Sequence, residues 1–388
     1  MEETPASSDG RRPVVLLLSQ SAQLAGAEIL MARLSGGLRR LVPFVVLGEH
    51  GPIEHELRVR GVEYLVVPFP SSSARSRGRR AARLPLDMLR SLRALCAVVG
   101  RRRPDVIYTH SAQAHVLGGL VGLLRNVPVV QHQHVVLDRG LLSRPAIAIY
   151  RVCAAVLADG IIGNSRASLA SIGAWRLGKP GFVIRPPLPY PPVDRPVVRP
   201  TVTRFVLAGR ISEQKGQDIA VRAFAAARHA LAPDARLHIV GDALFARDQS
   251  FKAALRALID ELDLGDAVVM HGARSDMDAV IAEADVCLHT ARWPEGFGMV
   301  VAEAMAAGTP VIASRLGGPA EIVSDGINGL LVEPDVDAIA TALVSVAESI
   351  GLRARLAVAG LQTARRLTTP RIVAATENAL LRLIRRRS

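Results

Sequence analysis

Short apolar runs alternate with helical stretches twice over along this chain, and a proline-dense interruption separates the two series. Runs at residues 14–18, 44–47, 64–67, 106–108 and 129–131 form the first series. The rhythm restarts after residue 203, with runs near Phe205 and at 237–240, 268–271, 286–289, 311–313 and 330–332. Runs this short and this apolar suit strands buried on both faces, and their alternation with helices predicts a parallel sheet covered on each side. The interruption, residues 186–200, holds seven prolines in fifteen residues and reads as an extended, semi-rigid connector rather than part of a fold. The pattern predicts an N-terminal tail (1–12), a domain over 13–188, a linker over 189–202, a second domain over 203–368 and a C-terminal helix over 369–388. Two doubly wound α/β domains facing each other across a cleft follow, with ligands expected at the carboxyl ends of the strands.

Composition narrows the classes. With 388 residues, 49% hydrophobic and 21% charged, the chain has ample core for two domains and is not a disordered protein. Cys96, Cys153 and Cys287 lie far apart without CxxC spacing, so they read as reduced core residues of a cytosolic protein and not as metal ligands. The apolar run at 14–18 is too short for a signal peptide or a membrane span, and no other stretch reaches span length without a charge or breaker. A cytoplasmic location, or one peripheral on the inner face of the membrane, is expected. The net charge of +13 is concentrated: between Arg75 and Arg103 ten arginines face one acid, Asp87. Such a cluster favours phosphate-rich partners, namely an anionic membrane surface, a lipid-phosphate acceptor or nucleic acid. Within it Leu86, Leu89, Leu92, Leu95, Cys96 and Val99 form one helical face, with Arg90 and Arg93 opposite. The same stretch also reads as an ordinary core-facing helix with a solvated basic side.

The segment Glu295-Gly-Phe-Gly-Met-Val-Val-Ala-Glu303 sets two carboxylates eight residues apart around a glycine-rich turn that opens a helix. Glycines let the backbone turn tightly and approach a ligand, and the first N–H groups of a helix lack intrahelical acceptors, so together they form an anion site. Glu303 falls about one turn inside, where a carboxylate can accept two hydrogen bonds from a diol. Glu295 stands in the loop, free to face a second polyol; taken alone, the pair reads rather as a solvated loop charge and a first-turn helix acid. Upstream, the strand near Phe205 runs into Gly209-Arg210-Ile-Ser-Glu-Gln-Lys215-Gly216, a cationic pair at a strand-to-helix turn that can grip a diphosphate. Gly317-Gly-Pro-Ala-Glu321 and Asp325-Gly-Ile-Asn328-Gly329 add a further glycine-rich loop and a turn.

In this order the motifs resemble the C-terminal half of the retaining GT-B glycosyltransferases of family 4, closely over residues 203–335 and loosely elsewhere. The resemblance implies that Arg210 and Lys215 bind the donor diphosphate, Glu303 the ribose and Glu295 the donor sugar, with backbone groups of Phe297, Gly298, Met299 and Val300 adding contacts. It implies a C-terminal helix crossing back to the N-terminal domain, a donor that is a nucleotide diphosphate sugar, and no metal or other cofactor. Ser19-Gln-Ser-Ala-Gln-Leu-Ala25-Gly26-Ala-Glu28 resembles the family's G-G-A-E loop, with Ala25 in place of the first glycine; Gly26 N–H is then a donor to phosphate or acceptor. His110, His115, His132 and His134 cluster after two strand ends. His134 is the better match to the family's active-site histidine and His132 the second; His110 and His115 read as polar residues at a strand end and on a helix, or as acceptor ligands. Two departures weaken the base assignment and the linker pattern: Gly241-Asp-Ala243 replaces Gly-Asp-Gly, and Ile184-Arg-Pro-Pro-Leu188 replaces Pro-Asn-Gly.

The implied chemistry is transfer of a hexosyl group from a UDP- or GDP-sugar to a hydroxyl of a glycan, glycolipid or lipid-linked acceptor, with retention, in cell-envelope or polysaccharide biosynthesis. Two other classes stay in view. A sugar-nucleotide epimerase can use the same fold, though the paired carboxylates and the cationic loop favour transfer. A basic nucleic-acid-binding protein would rest on charge alone, with 4% aromatic residues and no stacking pattern, so no nucleic acid partner is expected.

Overall fold

The computed structural model describes residues 11–70 and 84–387 of the chain. They form two compact units, one of the described residues up to 185 together with 369–387 and one of residues 186–368. In the first, strands β1 (Val14–Ser19), β2 (Val42–Leu47), β3 (Glu63–Val66), β4 (Val106–Thr109), β5 (Val129–Gln133), β6 (Gly160–Gly163) and β7 (Gly181–Val183) make one parallel sheet in the order β3-β2-β1-β4-β5-β6-β7. In the second, β8 (Arg204–Ala208), β9 (Arg236–Val240), β10 (Val268–Gly272), β11 (Val286–His289), β12 (Val311–Ser314) and β13 (Leu330–Val332) pair in the order β10-β9-β8-β11-β12-β13. Both are doubly wound sheets, and in each the order reverses beside the unit's first strand, between β1 and β4 and between β8 and β11. The two-domain Rossmann-like GT-B architecture read from the sequence is the one observed. Strands β6 and β7 were not anticipated: Gly-Ile-Ile-Gly and Gly-Phe-Val are too short and too glycine-rich to stand out as apolar runs.

Strand β1 explains how the first unit holds its layers. Its alternate residues enter different cores, Leu16 and Leu18 packing with Leu95, Val99, Leu117 and Val121, and Val15 and Leu17 with Met31, Leu34, Ile372 and Leu380. The C-terminal helix, Thr369–Arg387, therefore forms part of the first unit's core. Its buried Glu377 accepts hydrogen bonds from the backbone N–H groups of Arg39 (2.7 Å) and Arg40 (2.6 Å) and pairs with the Arg40 guanidinium at 3.2 Å.

The helix Leu84–Arg102 differs from its predicted face. Leu95, Val98 and Val99 are buried and Met88, Leu92 and Cys96 pack beside them, whereas Leu86 and Leu89 are exposed. The buried stripe lies one residue further round than the leucine spacing indicated, because Met88 and Val98 complete it. Arg90 pairs with Asp87, and Arg102 pairs with Glu63 and lies over the Phe44 ring. The arginines between Arg75 and Arg83 lie outside the described residues.

The proline-rich segment is extended, yet it is packed onto the second unit and is not a free connector. Leu188 is buried and donates its N–H to the Leu367 carbonyl, and Val193 N–H is bonded to the Ala306 carbonyl. Its end is held by Arg353, a fully buried guanidinium that donates to the carbonyls of Val346, Ala347, Arg199 and Pro200. Two of these acceptors terminate the helix Val336–Glu348, where the dipole favours a cation. Removing the side chain leaves four carbonyls to find partners, the buried one of Val346 among them, so Arg353→Met is expected to destabilise the protein by roughly 1–3 kcal/mol in urea unfolding; a loss below about 0.5 kcal/mol would mean that water replaces it freely.

Candidate active site

The strands β8 and β11 run side by side, so the loops leaving their carboxyl ends meet. From β8 the chain enters Gly209-Arg210 and a 3-10 turn, Glu213–Lys215, then the helix Gln217–Ala227. From β11 it passes through Thr290 to Glu295 and the helix Met299–Ala306. Thr290 Oγ1 donates to the carbonyls of Lys215 (3.0 Å) and Gly216 (2.9 Å), and Arg292 bonds the Glu213 carbonyl and Asp218. Gly216 has φ 64°, and a Cβ there would lie 2.1 Å from the Thr290 carbonyl oxygen, so the two loops join only with glycine at this position.

This junction places Lys215 Nζ 2.6 Å from Glu295 Oε1, with His289 Nε2 3.4 Å from Glu295 Oε2. Burial works to raise the Glu295 pKa, but the charges of Lys215 and His289 outweigh it and hold the carboxyl well below the usual carboxylate range. Arg210 lies alongside: its Nε is 3.8 Å from the buried Asp248 carboxylate, it donates to Gln214 at 3.3 Å, and its guanidinium is 5.0 Å from the Phe245 ring centroid. Asp242, in the altered Gly-Asp-Ala loop, is paired with Lys252.

Gly298 caps the helix Met299–Ala306 at φ 82°, and a Cβ would lie 2.6 Å from Pro319 Cγ, so the glycine-rich loop of 317–318 closes on it. Gly318 N–H also donates to the Glu295 carbonyl at 2.8 Å. The Phe297 side chain is buried in the core beside Val301 and Met305, which leaves its backbone as the part able to meet a ligand. Val301 N–H is bonded to the Gly298 carbonyl at 3.0 Å, so it does not serve as an anion donor and the candidates narrow to Gly298, Met299 and Val300. Glu303 is half-buried one turn in, near Cys287, whose thiol is pushed up to about 12 by burial and then by the Glu303 charge.

The first unit gathers the other predicted residues at its own switch point. His110 N–H bonds the Leu18 carbonyl and Gln20 N–H bonds Ser111 Oγ, tying the loops after β1 and β4. Ala25 stands at φ −107°, ψ 166°, an extended conformation open to any residue, so the missing glycine does not loosen the turn before the helix Gly26–Gly37. A Cβ at Gly26 would meet nothing within 4 Å. His132 has both ring nitrogens engaged, with Tyr108 Oη at 2.6 Å and Asn164 Oδ1 at 2.8 Å, and it is fully buried. His134 stacks on it with centroids 3.9 Å apart and is half-buried, with His110 Nδ1 3.1 Å from its Nε2. His110 Nε2 is buried without a partner. The ring nitrogens of His110, His132 and His134 fall within 4.8 Å of one another, a spacing that could accommodate a metal ion. His115 lies behind, against Thr109 Oγ1 at 2.7 Å and edge-on to Tyr150.

His289, Thr290, Asp248 and Phe245 were not picked out from the sequence. His289 ends β11 and Thr290 follows it, and that position at a switch-point strand end was the available signal. Asp248 and Phe245 carried none.

Two doubly wound parallel units, with a partly buried cation–carboxylate pair and a glycine-capped helix at the switch point of the second, make a two-domain Rossmann-like architecture with a candidate anion site. Known proteins agree. The family model of glycosyl transferases group 1 matches residues 196–362, and that of glycosyltransferase family 4 matches residues 24–189. A D-inositol 3-phosphate glycosyltransferase of Xylanimonas cellulosilytica is 29% identical over 73% of this chain and 73% of its own. A GDP-mannose-dependent alpha-(1-6)-phosphatidylinositol monomannoside mannosyltransferase of Mycolicibacterium smegmatis is 35% identical over 43% of this chain and 42% of its own. Among solved structures, Anabaena HepE in complex with UDP and glucose superposes with a TM-score of 0.81 at 24% identity, covering 95% of this chain and all of that one. The chain belongs to family 4 of the GT-B glycosyltransferases.

The four histidines lend themselves to a pH test. Burial lowers all four, His132 to about 4 and His115 to about 3. The unfolded chain takes up these protons as pH falls below about 6.5, whereas the folded protein resists until about 4, so the unfolded state binds more protons in this window and stability falls with pH. The melting temperature is expected to drop between about pH 7 and pH 4.5, and His115→Gln should make the drop shallower whatever its starting value. Equal slopes would show that His115 titrates normally when folded.

Proposed function

We propose that this enzyme transfers a hexosyl group from a UDP- or GDP-sugar to a hydroxyl of a glycan, glycolipid or lipid-linked acceptor in envelope or polysaccharide synthesis, with retention at the anomeric carbon and without a metal ion. The observation that carries this reading is the partly buried Lys215–Glu295 pair beside Arg210 and the glycine-capped helix start. Lys215 and Arg210 are the charges a departing diphosphate requires, and with the N–H groups of Gly298 to Val300 they stabilise the negative charge that grows on its oxygens. Glu295, kept ionised, accepts from sugar hydroxyls, and Glu303 from the ribose diol. The UDP and glucose bound to HepE and the GDP-mannose dependence of the mannosyltransferase relative support a nucleotide-sugar donor. His134, half-buried with the His132 ring stacked on it, is the histidine that the family resemblance assigns to the donor sugar. The departing phosphate itself serves as base for the acceptor on the leaving-group side. The lipid-linked acceptor rests on the basic stretch between Arg75 and Arg103, and on relatives whose names include inositol phosphates and phosphatidylinositol. Among the described residues no helix is long and apolar enough to cross a membrane, and peripheral attachment to an inner membrane face is part of this proposal.

A thermal-shift panel of UDP, GDP, ADP and their sugar conjugates tests the donor site, because a ligand of the folded state raises the melting temperature. A selective shift is expected, weakened roughly 10- to 100-fold in affinity by Lys215→Ala, as loss of a charged contact implies. No shift with any nucleotide would sink the donor assignment. Once donor and acceptor are found, Glu303→Ala should lower turnover about 100-fold or more with the fold intact, the product should keep the donor's anomeric configuration by NMR, and chelation with EDTA should leave the rate unchanged. Inversion, or loss of activity on chelation, would overturn those parts.

A further inference from the structure

A cavity of about 450 Å³ on the first unit is lined by Arg40, Asn378, Leu381, Arg382, Arg385 and Arg386. Asn378, Arg382, Arg385 and Arg386 share one face of the C-terminal helix at spacings of three and four residues. Arg40 comes from the loop before β2, and its guanidinium is fixed by Glu377 at 3.2 Å and by Asn378 Oδ1 at 2.5 Å. Arg382, Arg385 and Arg386 are exposed at their outer ends. Four arginines thus line one hollow, and the buried carboxylate of Glu377 is bonded to one of them, Arg40.

Local stability does not account for this arrangement. Like charges three and four residues apart on a helix repel one another and destabilise it. The helix dipole favours cations in the last turn, which covers Arg385 and Arg386 but neither Arg382, further back, nor Arg40 on another element. Guanidiniums forking into a common space match the oxygens of phosphoryl groups, and the volume lies within the range of about 300–1,000 Å³ usual for small-ligand sites. Leu381 and the arginine stems give the hollow an apolar floor.

We propose that this cavity is a second anion site, distinct from the Lys215 site, which binds a ligand bearing clustered phosphoryl charge. The chemistry fits either a free diphosphate or the headgroup of an anionic phospholipid. It does not depend on the sugar-transfer reading.

The test uses the full chain carrying Arg210→Ala and Lys215→Ala, so that binding at the second unit does not obscure the result. Inorganic diphosphate is titrated by calorimetry in low salt, and flotation is measured with phosphatidylcholine vesicles with and without phosphatidic acid. Arg382→Gln/Arg385→Gln/Arg386→Gln is compared with Arg222→Gln/Arg355→Gln/Arg366→Gln, which removes the same charge from exposed positions of the second unit. The expected result is diphosphate binding weakened about tenfold or more by the first set and less than about twofold by the second. Flotation that the first set abolishes and diphosphate competes away assigns the site to a lipid headgroup; diphosphate binding without flotation assigns it to a soluble ligand. If neither probe is bound, or if both sets weaken binding alike, the site does not exist. Arg386→Glu alone, the smaller change on an exposed position, guards against a misfolded triple variant and should still reduce binding.

Discussion

The pairing of β8 with β11 is the constraint on which the second unit's chemistry rests. In a parallel sheet every strand delivers its following loop to the same edge, and only where the order reverses do two such loops diverge enough to leave a crevice between them. Here the crevice is bridged from below by Thr290, whose hydroxyl holds two carbonyls of the opposite loop, and by Gly216, which lets the backbones touch. Because that junction is built from backbone groups, the side chains it projects, Lys215 and Glu295, meet with little freedom to move. A lysine and a carboxylate eighty residues apart in the chain become neighbours through sheet topology and not through local sequence.

The two units handle buried ionisable groups in opposite ways. In the second, desolvation of Glu295 is outweighed by two basic neighbours, and the group stays charged. In the first, four imidazoles lie among one another, where a proton on any one would face burial and the others, and the cluster stays neutral. A neutral ring is both a donor and an acceptor, which suits recognition of hydroxyls, whereas a charged pair suits the redistribution of charge. The contrast follows from surroundings and not from residue type, since histidine also occurs in the second unit as His289.

Much of this was legible in the sequence, for particular reasons. Apolar runs such as that of β1 announce themselves because both faces are buried, and the glycine-rich loop before Met299 could be read because turn, cap and helix start lie within ten residues. What escaped notice depended on distant parts. Asp248 matters to Arg210 only because a helix after β9 returns over the loop after β8, and no local pattern encodes that return. The proline-rich segment looked free because composition reports stiffness and not docking; burial of Leu188 and the carbonyl hold of Arg353 on Arg199 and Pro200 settle where it lies. The face of the helix Leu84–Arg102 was misplaced since leucines were weighed above the Met88 and Val98 that complete its buried stripe.

The C-terminal helix carries a consequence for the order in which the chain can fold. Glu377 reaches back across more than three hundred residues to Arg39 and Arg40, and Ile372 and Leu380 fill a core begun at Val15. During synthesis the first unit therefore emerges early but lacks a wall until the helix Thr369–Arg387 has been made, after the whole of the second unit, which is continuous in sequence. The half of the protein that is made first is completed last, and in the interval its apolar sheet face is open to whatever else in the cell will cover it.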